Sequence, residues 1–359
     1  MATESKQSTP EAAFSLDTAS LLAEREHDIT IEGRSPWYLA WRRLRRNYLA
    51  FFFLLVFVLV VVCCALAPVY AKHVAHTDAN TNHVTDVVMV NGKPTPVMGV
   101  TPGKIGIQIL GPTWWHAGGR FVLGADNNGR DEAVRLLYGG RNSLRIGIVS
   151  ALICTILSVV LALLAGYYRG WLDWIITRFF DLIWAFPVVL LGIALGAALA
   201  INGIHWGPIQ VKNNSLWIPT LVISYVLIPY IGRPLRGQIL SLREKEFVEA
   251  AIAQGASAPR IMFAEILPNV ASSVLVFFTL IVANNILLEA ALSYLGAGVQ
   301  DPNPSWGTLI SDGQSRILTA PWQTLTPGIA IVLTVLSLNI FGDGLRDALD
   351  PRAKVRVEH

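Results

Sequence analysis

Six apolar stretches dominate this chain and leave few ways for it to fold. They run over about 48–70, 143–168, 176–202, 215–234, 270–293 and 325–343. Each is close to or above the ~20 residues an α-helix needs to cross ~30 Å of hydrocarbon. Backbone polar groups find no water in that layer, so they must bond within their own segment, as in a helix. The chain is 53% hydrophobic and 15% charged, whereas a soluble domain is nearer a quarter charged. The expected fold is an all-α polytopic membrane protein with six transmembrane helices. The first stretch, YLAFFFLLVFVLVVVCCALAPVY, follows 47 other residues and is too long for a signal peptide, so it reads as a retained anchor.

Orientation follows from Lys and Arg near the span ends. Arg42, Arg43, Arg45 and Arg46 precede the first span, which places that end in the cytoplasm. Six crossings return the C-terminus there, with Arg346, Arg352, Lys354 and Arg356. The segment 235–269, with Arg236, Arg243, Lys245 and Arg260, then also faces the cytoplasm, while the loop 203–214 carries only Lys212 and the loop 294–324 only Arg316.

The expected organisation is a disordered cytoplasmic tail over 1–34, an amphipathic helix and first span over 35–72, and an external insert over 73–118. A transmembrane core over 119–345 and a cytoplasmic tail over 346–359 complete it. Ser35 is placed to cap the amphipathic helix and Pro36 fits its first turn. Within the insert, Asn91-Gly92 between two apolar runs signals a hairpin. A small β excursion is expected over 86–110, with Pro94 and Pro96 confining that side to an edge.

Catalytic and ligand motifs are sparse. The net charge of +3 argues no nucleic-acid partner. No G-x-x-x-x-G-K-[ST] is present, so the chain has no phosphate-cradling loop of its own. Cys63, Cys64 and Cys154 match no zinc spacing and read as lipid-facing or packing residues. His73, His76, His83 and His116 read as solvated loop histidines rather than metal ligands. No catalytic site, cofactor or metal is expected.

Ionisable and amide groups inside spans are functional candidates. Asp181 lies in the third span, and Asn284, Asn285 and Glu289 in the fifth. They could relay protons, or face the bundle interior and hydrogen-bond between helices. A relay would need an ionisable partner on another span, and only Asp181 is on offer. Gly192-x-x-x-Gly196 permits close helix approach, and Pro187 is expected to kink the same span.

The polar stretch EFVEAAIAQGASAPRIMFAEILPN, Glu246–Asn269, lies between two apolar spans. Phe247, Ala250, Ala251 and Gln254 share one face of a short helix. Gly255 breaks that helix in a conformation closed to bulkier residues. Ser257 is placed to cap a second helix, Pro259 fits its first turn, and Ile261, Met262 and Ile266 give it an apolar side. Pro268 is expected to end it before the fifth span begins. Such a unit either docks in a partner's groove or packs beneath its own bundle.

This stretch resembles the EAA motif of ABC-importer permeases. Glu249, Ala250, Ala251, Gly255, Ile266, Leu267 and Pro268 match it, while Glu265 stands where peptide permeases usually carry histidine. LGADNNGRDEAVRLLYGGRNSL (123–144) resembles the signature of C-type dipeptide and oligopeptide permeases. There Ala125 replaces the usual Thr, and the usual Ser before Arg135 is absent. LEAALSYLGAGVQDPNPSWGTLISDG (288–313) and PWQTLTPGIAIVLTVLSLNIFGDGLRDALDPR (321–352) are similar to the same subunit.

The resemblance implies a non-enzymatic permease subunit in the inner membrane. It implies a homologous B-type permease beside it, two ATP-binding subunits beneath and an external substrate-binding protein. Glu249, Ala250, Ala251, Gly255, Ile261, Ile266, Leu267 and Pro268 would form the element that receives the ATPase. Peptides are the implied substrate; nickel chelates or other small solutes are the alternative, because relatives carry those too. A proton-coupled secondary transporter using Glu289 and Asp181 is the rival class.

Overall fold

The computed structural model describes residues 36–100, 107–206 and 209–349. The expectations for the tail over 1–34, the Ser35 cap and the end of the C-terminal tail fall outside them. Pro36–Arg46 forms α1, with Arg43, Arg45 and Arg46 in its last turn, where cations complement the helix dipole. Asn47 then caps α2 (Tyr48–Ala65), its side chain accepting the Ala50 N–H at 3.1 Å. The short α3 (Ala67–Tyr70) and a π-helical turn (Ala71–Ala75) prolong this first span.

The insert is a small β unit. Val87–Val90 (β1) pairs antiparallel with Lys93–Pro96 (β2). Asn91 and Gly92 join them at φ 53° and 75°, the left-handed pair that a two-residue hairpin demands. Met98–Gly99 (β3) pairs with Gln108–Ile109 (β4). The expected hairpin is thus present, but it is no detached cap: Val88, Val97 and Leu110 share a core with Phe121 and Ala125. His83 is not solvated either, since it bonds Thr77 Oγ1 at 2.6 Å and Asp86 Oδ2 at 2.8 Å.

The bundle begins with α4 (Glu132–Tyr168), followed by α5 (Gly170–Trp184) and α6 (Val188–Asn202). A hairpin of β5 (Ile204–Trp206) and β6 (Ile209–Val211) leads to α7 (Trp217–Val226) and α8 (Ile228–Arg243). Then come α9 (Glu246–Ala253), α10 (Ala258–Arg260), a π-helical turn (Ile261–Ile266) and α11 (Leu267–Tyr294). Trp306–Gln314 (α12) and Trp322–Leu349 (α13) close the chain.

Helices α4, α8 and α11 pack together at the centre. The span Trp217–Arg243 is 72% buried over its most apolar window, whereas α2 is only 11% buried. The first span is therefore peripheral, held against α13 and α4 with most of its surface left for lipid. Glycines let the central helices close up: the missing side chain of Gly147 faces Ile286, and that of Gly166 faces Ile239. Cys64 and Cys154 are packing residues and Cys63 is exposed.

Two span expectations need correcting. The third is not one kinked helix over 176–202. Helices α5 and α6 meet at 88°, because Pro187 can donate no backbone bond and biases Phe186 away from helical geometry. Among the described residues five helices are long and apolar enough to cross a membrane, or six if this bent pair is one span. The fifth span, in turn, does not begin at Pro268. Helix runs from Ala258 to Tyr294, and the π-helical turn Ile261–Ile266 precedes the proline, re-routing the bonds that its missing N–H would break.

Candidate functional site

The unit over 246–269 is built around one turn. Helix α9 ends at a Schellman motif: Ala256 N–H donates to Ala251 C=O at 3.0 Å, and Gly255 N–H to Ile252 C=O at 2.9 Å. Gly255 has φ +78°, and nothing lies within 4 Å of where its Cβ would be. Glycine is needed here for conformation alone, not for space. Pro259 sits in the first turn of α10. Ser257 occupies the cap position without making the expected side-chain bond.

The inner side of the unit belongs to the bundle. Val248, Ile261, Met262 and Ile266 are buried in the main core. Ile261 and Ile266 therefore pack beneath their own bundle, contrary to the expectation from the resemblance that they belong to the surface receiving the ATPase. They anchor the unit rather than form its outer surface. The outer side carries Phe247 (38% exposed), Ile252 (50%) and Phe263 (56%). Glu249, Ala250, Gln254, Gly255 and Pro268 are exposed beside them, and Ala251 and Leu267 are half-buried. Glu249 makes no side-chain bond among the described residues. An ion pair of 2.7 Å from Arg169 to Glu244 ties the start of the unit to the α4–α5 corner.

The polar residues inside spans separate into different environments. Asn285 is buried on α11 and bonds Ser150 on α4 at 2.6 Å, the helix-bridging use. Glu289 is buried and accepts from Ser293 Oγ at 2.6 Å. Asn284 is exposed. Asp181 on α5 accepts from Arg233 at 2.7 Å and from Arg178 at 3.1 Å, and Arg233 lies 4.1 Å over Trp184. A second pair, Asp173 with Arg236, fastens α5 to α8 at 2.6 Å. The structure does not bring Asp181 and Glu289 together, as a relay through them would require.

A buried ionic clamp, which no local sequence pattern signals, joins the 123–144 segment to α12. Asp126 accepts from Arg130 Nε at 2.6 Å and pairs with Arg135 at 3.3 Å. Both arginines also reach Asp312 on α12, at 3.6 and 3.3 Å. Asn127 donates to the Asp312 carbonyl at 2.5 Å. Asp131 caps α4 and accepts the Phe121 N–H at 2.6 Å. Burial pushes the Asp131 carboxyl above its ordinary range, opposed by the N–H donors of Phe121, Val134 and Ala133. Burial likewise raises Asp312, opposed by Arg135 and Arg130. The signature segment 123–144 is thereby locked to the distant α12. Among the described residues no cluster of three His, Cys, Asp or Glu is arranged to hold a metal.

The family model "Binding-protein-dependent transport system inner membrane component" matches residues 158–355. A second, "N-terminal TM domain of oligopeptide transport permease C", matches 35–85. The dipeptide transport system permease protein of Alkalihalophilus pseudofirmus is 37% identical over 320 residues, covering 89% of this chain and 91% of that one. The chain belongs to the ABC-importer permeases of the peptide and oligopeptide family. The glutathione transport system permease protein of Escherichia coli O157:H7 is 35% identical to this permease over 321 residues, 89% of this chain and 92% of its own. That of Pectobacterium atrosepticum is 40% identical over 232 residues, 65% of this chain and 73% of its own. This is a transport family, not an enzyme family, and the permease is a multi-pass membrane protein.

Proposed function

We propose that this permease carries peptides inward, paired with a homologous B-type permease, powered by two ATP-binding subunits and supplied by an external binding protein. The observation that carries the reading is the exposed side of the 246–269 unit. Phe247, Ile252 and Phe263 stand out on a unit whose other side is anchored in the bundle. An apolar helical ridge of this kind fits a partner's groove, and the permease has no nucleotide-binding loop of its own. In this reading the unit and the C-terminal tail face the cytoplasm, and the insert faces outward. The relatives named for dipeptide and glutathione transport favour peptides over nickel chelates or other small solutes.

The test is uptake by the purified complex of both permeases and both ATP-binding subunits in vesicles, supplied with its binding protein. Peptide accumulation that needs ATP and ignores a proton gradient is the expected result. Accumulation driven by a proton gradient without ATP would overturn it.

A further inference from the structure

A cleft of about 860 Å³ opens where the insert, the outer turns of α4 and the loop before α12 meet. Its size lies in the range of small-ligand sites. Asp78, Tyr138, Arg141, Asn142, Arg145 and Asn303 are among its lining residues. Its wall is built rather than loose: Asn142 Nδ2 donates to the Pro304 carbonyl at 2.8 Å, and Trp306 N–H to Ser143 Oγ at 3.1 Å.

Arg141 and Arg145 stand four residues apart on α4, so they share one face. Like charges at that spacing repel. Both are exposed, and neither has an ion pair or hydrogen bond among the described residues. By contrast, Arg130 and Arg135, on the same segment, are each matched to Asp126 and Asp312. Among the described residues Arg141 and Arg145 have no anion partner, and Asp78 is the acidic side chain lining the same cleft. A smaller pocket of about 210 Å³ shares Arg145 and Leu216 with the cleft and continues past Val149 to Trp217 and Thr220. Arg145 therefore stands at a junction leading inward along the α4–α7 seam.

We infer that this cleft receives a short zwitterionic peptide in transit, with Arg141 and Arg145 taking its carboxylate and Asp78 its ammonium group. The inference rests on the peptide-import reading and names the wall of the pathway within it. Charge-assisted bonds in a partly enclosed cleft are strong enough to matter for transit.

The experiment uses the complete complex in vesicles of phosphatidylcholine alone, with dialanine as the probe. The double variant Arg141→Gln/Arg145→Gln is compared with Arg141→Lys/Arg145→Lys and with Asp78→Asn. Subunit ratio and melting temperature confirm assembly. The expected result is ATP hydrolysis still stimulated by loaded binding protein, with dialanine delivered per ATP reduced about tenfold by the glutamines. Lysines retain most of the delivery, and Asp78→Asn, an exposed change on a different element, lowers it severalfold. Unchanged delivery per ATP would overturn the inference. So would equal loss of stimulated hydrolysis, which marks a docking contact with the binding protein. Loss only when anionic lipid is added marks a headgroup site and also overturns it. A wild-type complex that hydrolyses ATP but never delivers dialanine removes the peptide reading itself.

Discussion

Ala256 donates its backbone N–H to the Ala251 carbonyl across 3.0 Å, and Gly255 between them is the left-handed residue that makes the bond possible. This contact fixes the angle at which α9 leaves the bundle and α10 returns to it. It therefore fixes where Phe247, Ile252 and Phe263 stand relative to one another.

Replacing Gly255 tests that relationship. Gly255→Val places a β-branched residue at φ +78°, a strain of about 1–3 kcal/mol. No neighbour is close enough to clash, so the cost is conformational alone. Gly255→Asn, which tolerates the left-handed region better, should retain most activity. Valine should weaken ATPase association or leave hydrolysis unresponsive to loaded binding protein. Equal behaviour of the two variants would show that the turn does not set the docking angle.

The clamp predicts an asymmetry in stability. Asp126 and Arg135 are 3% and 1% exposed, whereas Asp312 is 42% exposed. Asp126→Asn leaves a buried arginine under-compensated and should cost about 3 kcal/mol. Asp312→Asn acts on a partly solvated pair and should cost about 1 kcal/mol or less. Thermal unfolding of the purified complex reads the difference, and equal losses would contradict it.

The insert predicts a dependence that its hairpin alone would not suggest. Val88 and Val97 are packed with Phe121 and Ala125 in one small core, and the Phe121 N–H is held by Asp131, the cap of α4. Deleting residues 73–118 should therefore lower assembly of the complex as well as uptake. Normal yield of the deletion variant by size-exclusion chromatography would show the insert to be an independent cap.

Topology gives a separate check. Cysteine at Ser257 should resist a membrane-impermeant thiol reagent in intact cells, and cysteine at Lys93 should react. Reaction at position 257 without permeabilisation would invert the orientation on which the import reading depends.

The spans were legible because runs of about twenty apolar residues have few alternatives. The hairpin at Asn91-Gly92 and the break at Gly255 were legible because their backbone conformations select those residue types. Three features were not. Pro187 signals a disturbance, but not whether a helix bends slightly or turns by 88°. The unit over 246–269 is apolar on two sides, so periodicity could not tell that Ile261 and Ile266 point inward while Phe263 points outward. The clamp joins Arg135 to Asp312, 177 positions away, and no local pattern announces such a pairing.

In the proposed importer the exposed side of the 246–269 unit is the seat of the ATP-binding subunit. A single cysteine at Ala250, exposed on that side, carries the most direct measurement. A short thiol-to-amine cross-linker is applied to the assembled complex, with and without nucleotide. The expected result is a covalent product between this permease and the ATP-binding subunit. A cysteine at Leu318, 95% exposed at the opposite end of the bundle, should give none. A complex that imports peptide normally yet yields no such product from Ala250→Cys, or yields it equally from Leu318→Cys, would contradict it.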